Sequence, residues 1–224
     1  MGITFERIVE LHPTLFHMAE HGTWESIKTR GLLSTSALLD AHNITGTERE
    51  KIEAAIRKCP IALGDNGHEV VIRDQKLSES KLAKCLQDGL NVQDWLLMLN
   101  KRVFFWLTEA RLSTLMKAYA QTEHLVLEID CAELLKRHGD TVLLSPMNTG
   151  TTSPMAFPRG LRTFLPPDKY PFELNKKTKG GANKSIVELT VDYSVPDIAE
   201  FTIRATHRRL KDSAMVITEI VCAK

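Results

Sequence analysis

The sequence predicts an α/β (α+β) fold in a single domain spanning residues 1–224. Three observations predict it. From Arg102 onward, short apolar runs alternate with helical segments that open on capping residues, the pattern of strands and helices sharing one core. Ahead of that half lies an all-helical stretch over 78–99. The composition, 43% hydrophobic and 25% charged across 224 residues with no Pro/Gly/Ser-rich linker, suits one ordinary globular core.

Each element has a local reason. Residues 15–19 form a short apolar strand carrying His17, followed by a tight turn at His21 and Gly22. An amphipathic helix then runs from Thr23, as N-cap, to Gly31, where a positive φ is wanted. Helices are expected over 36–42 and 47–57, and a strand over 69–73 after a turn at Asp65, Asn66 and Gly67. The inserted helices cover 78–87, stopped by Gly89, and 92–99, with Val92, Trp95, Leu96 and Leu99 on one side. A nearly continuous apolar strand follows over 103–107, and Thr108 caps a helix over 109–119. Strand 124–130, helix 131–138 and strand 141–144 complete the alternation. Residues 145–182 carry repeated prolines and poor periodicity, so they read as a long binding loop. Strands over 186–191, 199–204 and 214–221 close the chain.

Several classes of protein are disfavoured. No apolar run approaches the roughly 18–20 residues of a membrane helix, and the N-terminus lacks a basic segment followed by an apolar one. Cys59, Cys85, Cys131 and Cys222 form no CxxC pair, so reduced thiols and a cytoplasmic setting are expected and structural zinc is not. The eight histidines show no metal-ligand spacing. Neither GxGxxG, a P-loop, HExxH nor GxSxG occurs. A net charge of +1 argues against a protein that coats nucleic acid and leaves room for a local basic patch.

The residues that could carry chemistry each admit a plain alternative. His17 stands beside a helix N-terminus, where a phosphate-bearing ligand could be held, or it is a satisfied strand histidine. Glu188 shares a strand face with Ile186 and Thr190, and fits either a catalytic carboxylate or the polar face of an edge strand. Arg73 and Arg102 end apolar strands, as anion-binding forks or as surface arginines. Phe105 and Trp106 offer a stacking face or belong to the core. The lysines between 176 and 184 surround two glycines as a flexible basic loop that could meet a phosphate backbone or simply be solvated.

The order of these pieces resembles the NAD-dependent ADP-ribosyltransferases, most closely their nucleic-acid-modifying DarT-like branch. That branch opens with Leu-Tyr-His-x-Thr followed by Ile-x-x-x-Gly-Leu; here Leu15, Phe16, His17, Met18 and Ala19 precede Ile27, Gly31 and Leu32. The aromatic strand over 103–107 and the strand beginning at Glu188 match the family's later motifs. Phe16 for Tyr and Ala19 for Thr depart from the pattern, and the 78–99 insertion and the proline-rich loop have no counterpart in it.

The resemblance implies a split mixed sheet with flanking helices and a helical insertion. It implies NAD as co-substrate, held by His17 and Met18 with Phe105 or Trp106 near the nicotinamide, and Glu188 and Arg73 as catalytic residues. It places Asn148, Arg159, Arg162 and Lys179 beside an acceptor, DNA or RNA. A toxin restrained by an antitoxin protein would fit the same branch. A non-catalytic module binding a nucleotide or a protein on the same fold is the alternative, and a phosphotransferase acting on RNA ends a third.

Overall fold

A computed structural model describes residues 2–64, 70–212 and 214–223; the turn expected at 65–67 and the first residue of the strand expected at 69–73 lie outside them. The chain begins with α1 (Phe5–Leu11), β1 (Thr14–Glu20), α2 (Trp24–Arg30), β2 (Leu32–Leu33), α3 (Thr35–Ala41) and α4 (Gly46–Glu53). Next come β3 (Ile61–Leu63), β4 (Val70–Ile72), α5 (Glu79–Cys85), α6 (Val92–Asn100), β5 (Arg102–Trp106) and α7 (Glu109–Ala118). The remainder comprises β6 (His124–Asp130), α8 (Cys131–His138), β7 (Val142–Ser145), α9 (Phe172–Lys179), α10 (Ala182–Ser185), β8 (Glu188–Asp192), β9 (Ser194–Val195), β10 (Thr202–Lys211) and β11 (Ala214–Ala223).

Seven strands form one sheet in the order β11-β10-β6-β1-β5-β8-β7, flanked by helices, so the fold is α+β. Every pairing described in it is antiparallel, whereas a mixed sheet was the expectation. The middle of the sheet is its weakest join. β1 pairs with β6 from Thr14↔Asp130 to Glu20↔His124, yet it meets β5 only at Phe16↔Trp106. Beyond that pair the two strands part, and the space between them becomes a cleft.

Alternation along the strands divides the core. One face of the sheet sends Leu15, Phe105, Leu127, Leu144 and Leu189 against Ile8, Ile27, Leu134 and Phe172 of the helices. On the other, Met18, Trp106 and Val126 pack under Leu112 and Met116 of α7. The α5–α6 insertion covers a third cluster, in which Trp95 stacks on Phe164 with ring centroids 6.0 Å apart.

Local expectations hold at most elements, with instructive departures. Thr108 Oγ1 accepts from the Arg111 amide as the cap predicted. Thr23 makes no such cap; its hydroxyl donates to Glu20 O at 2.7 Å. Gly31 has φ +80, and a Cβ there would lie 2.4 Å from Pro196 Cα, so glycine is required by both conformation and space. Residues 145–182 are not irregular throughout: α9 occupies 172–179 and ends on Gly180 in the left-handed region. Its periodicity was hidden because only Phe172 and Asn175 are buried among lysines. The stretch expected to start a strand at 199 is a 3-10 turn, and the strand starts at Thr202.

Candidate active site

The cleft at the β1–β5 seam holds two adjoining cavities of about 310 and 420 Å³, which share His17, Arg57, Arg102 and Phe104 as walls. The first runs along α2, β2 and β4 and is lined by Arg73 and Glu20. The second is lined by Trp106, Tyr119, Asn148 and Glu188. Residues from opposite ends of the chain, His17 and Glu188, therefore border one space.

Glu188 begins β8, an interior strand between β5 and β7, where it pairs with Trp106 on one side and Ser145 on the other. The edge-strand reading is thereby corrected. Its side chain is 2% exposed. The Thr149 amide donates to Oε1 at 3.1 Å and the Thr149 hydroxyl to Oε2 at 2.7 Å. Burial pushes the carboxyl up to about 7, against the opposing pull of the two Thr149 hydrogen bonds and of the Arg111 and Arg159 charges. A carboxyl poised near neutrality at a cavity wall is suited to proton transfer and to stabilising a nearby cation.

His17 Nδ1 lies 2.9 Å from the carbonyl oxygen of Phe104, across the seam. A carbonyl only accepts, so Nδ1 carries the proton and donates, leaving Nε2 as an acceptor. Burial, followed by the Arg73 charge, holds the imidazole down at about 4 against the Phe104 hydrogen bond. The ring is therefore neutral at pH 7.

The cations of the cleft are fixed and incompletely satisfied. Arg73 Nε pairs with Glu20 at 2.7 Å and its guanidinium lies 5.3 Å over the Tyr119 ring, while Nη2 is buried with no hydrogen-bond partner. Arg102 stacks 4.6 Å over Phe164, and its buried Nε likewise has no partner. Arg57 Nη1 donates to Ile52 O and to Asn100 Oδ1. Buried guanidinium N–H groups without acceptors are costly in a closed protein and are the groups an anion would satisfy.

The cleft gathers His17, Met18, Trp106, Asn148 and Glu188, with Arg73 in the adjoining cavity. Phe105 is excluded: strand alternation turns it into the core, fully buried, while Phe104 and Trp106 face the cleft. Arg159 is not an acceptor contact either, being 1% exposed and donating from Nη1 to Thr149 O at 3.1 Å. Arg162 is exposed and lines neither cavity. Lys179 ends α9, half-buried and also outside the cavity walls; burial and the Arg111 charge lower its pKa. Thr149, Tyr119, Arg57 and Arg111 escaped the sequence reading, since a lone Thr in a turn or an Arg on a helix carries no pattern. Among the described residues, no group of three His, Cys, Asp or Glu is placed to hold a metal ion.

A family model described as a family of unknown function, DUF7002, matches residues 13–202. The chain belongs to this family. No curated protein matches it. The region shared with DUF7002 runs from the residue before β1 to the first residue of β10, so it contains both walls of the cleft, with His17, Arg73, Thr149 and Glu188, and leaves out nearly all of the β10–β11 hairpin. Among the described residues, no helix is long and apolar enough to cross a membrane.

Proposed function

We propose that this protein is an NAD-dependent ADP-ribosyltransferase acting on a nucleic-acid base. The observation that carries the reading is the buried Glu188 carboxyl sharing a cleft wall with the neutral His17. Cleavage of the nicotinamide–ribose bond builds positive charge on the sugar. Glu188 stabilises that charge when ionised and takes the proton from the attacking acceptor. His17 accepts a hydrogen bond at Nε2 from a ribose hydroxyl or the carboxamide. Trp106 and Phe104 give flat walls for a ring, and the unpartnered guanidinium N–H groups of Arg73 and Arg102 suit a diphosphate.

Support for a nucleic-acid acceptor comes from the end of the sheet where Glu188 sits. Arg111 Nη2 donates to Lys184 O at 3.4 Å, four residues before Glu188, and the Arg111 charge reaches Lys179. None of these three cations forms an ion pair among the described residues. A phosphate backbone would supply the missing anions. An antitoxin-like protein and a cytoplasmic setting belong to the same reading.

The test is incubation of the protein with labelled NAD and separate pools of DNA, RNA and protein, alongside Glu188→Gln. Label on nucleic acid that disappears in the variant is the expected result. Nicotinamide release equal in the two proteins would refute the role of Glu188, and label on protein alone would replace the acceptor.

A further inference from the structure

The α5–α6 insertion is joined to the buried carboxyl by a chain of hydrogen bonds. The backbone of Arg159 is pinned at the end of α5, its N–H donating to Cys85 O and its carbonyl accepting from the Gln87 amide, each at 2.9 Å. Its guanidinium lies 5.6 Å over Trp95 of α6. Held there, Arg159 donates from Nη1 to Thr149 O and from Nε to Phe157 O, both at 3.1 Å. Thr149, with no exposed surface, then donates to both oxygens of Glu188. Neither Arg159 nor Thr149 lines either cavity of the cleft.

We propose that Arg159 and Thr149 are positioning residues, through which the α5–α6 insertion fixes the plane of the Glu188 carboxylate and the direction of its remaining lone pairs. The inference rests on the reading of Glu188 as the reacting carboxylate. Its physical basis is that a glutamate side chain free to rotate presents many orientations, whereas one donor on each oxygen selects a single plane. Both donors also favour the ionised form, which burial opposes.

The experiment compares Thr149→Val, Thr149→Ser and Arg159→Met with the parent chain, with two readouts. The first is NAD turnover against pH, resolved into kcat and KM. The second is the titration of the Glu188 carboxyl followed by 13C NMR, assigned with Glu188→Gln. In Thr149→Val, kcat falls about 10- to 100-fold with KM within about two-fold, and the carboxyl midpoint rises by about one pH unit. Thr149→Ser restores both quantities, and Arg159→Met moves both in the same direction as Thr149→Val. Because Arg159 lies outside the two cavities, the pH-independent kcat of Arg159→Met tests the relay where Thr149→Val fails to fold; its midpoint rises in any case, since the Arg159 charge itself lowers the Glu188 pKa. Parent-like kcat in both Thr149→Val and Arg159→Met, with a parent-like midpoint in Thr149→Val, overturns the relay while leaving a Glu188-dependent turnover intact. A midpoint raised in Thr149→Val and restored in Thr149→Ser, in a chain that turns over no NAD, sustains the relay and rejects the transferase reading.

Discussion

Replacing Glu188 by glutamine should make the protein more stable at neutral pH while removing its activity. The carboxyl titrates near 4.5 when unfolded and is pushed up to about 7 by burial in the folded chain. Between those two values the folded state holds the proton that the unfolded state has lost, so stability falls as pH rises through that window. The difference of about 2.5 units corresponds to roughly 3 kcal/mol at 1.36 kcal/mol per unit, all of it lost above pH 7. Glutamine keeps the shape, carries no charge, and still accepts from the Thr149 amide, whose hydroxyl can rotate to meet the new NH₂ group. The stability gap between Glu188→Gln and the parent should be near zero at pH 4.5 and reach about 3 kcal/mol by pH 8. Urea denaturation of both proteins at pH 4.5, 6 and 8 measures it, because the other carboxylates cancel in the comparison. A gap independent of pH, or a variant less stable at pH 8, would show that the buried carboxylate is compensated in the fold and refute the reasoning.

Two further perturbations probe the walls of the cleft. Gly31→Ala forces a Cβ into positive φ and against the Pro196 and Val195 backbone, which pairs β9 with β2, and should cost about 3 kcal/mol or more; a loss under about 1 kcal/mol in urea denaturation would contradict the geometry. Arg73→Met removes a partly exposed pair with Glu20, so stability should drop by less than about 1 kcal/mol. It should also raise KM for NAD about ten-fold with kcat unchanged, and an unaltered KM would take Arg73 out of the site.

The elements were legible wherever local chemistry decides them. Strand 124–130 and helix 131–138 match the structure residue for residue, the helix opening on an Asp130 side chain that caps the Glu133 amide. Gly31 announced a positive φ. What local pattern could not carry was partnership across the sheet. Glu188 in an alternating strand looks like an edge residue until β5 and β7 are known to flank it. Phe105 and Trp106 are equal aromatics in sequence, and only the register that sets Trp106 opposite Phe16, on the face of Met18, decides which of them meets the cleft. Arg159 read as a free cation because nothing near it in the chain reveals Trp95, 64 positions earlier, or the turn at Thr149.

The single pair joining β1 to β5 has a mechanical meaning. Four strands on one side and three on the other are each tied by ladders of four to eight residue pairs, while between them stand one residue pair and the His17–Phe104 hydrogen bond. Rotating one half against the other costs few hydrogen bonds, and both cavities lie along that line. Backbone hydrogen bonding is thus dense within the halves and sparse at the place where a ligand would span them. A molecule seated there would act as the missing rungs of the ladder, tightening the sheet as it binds.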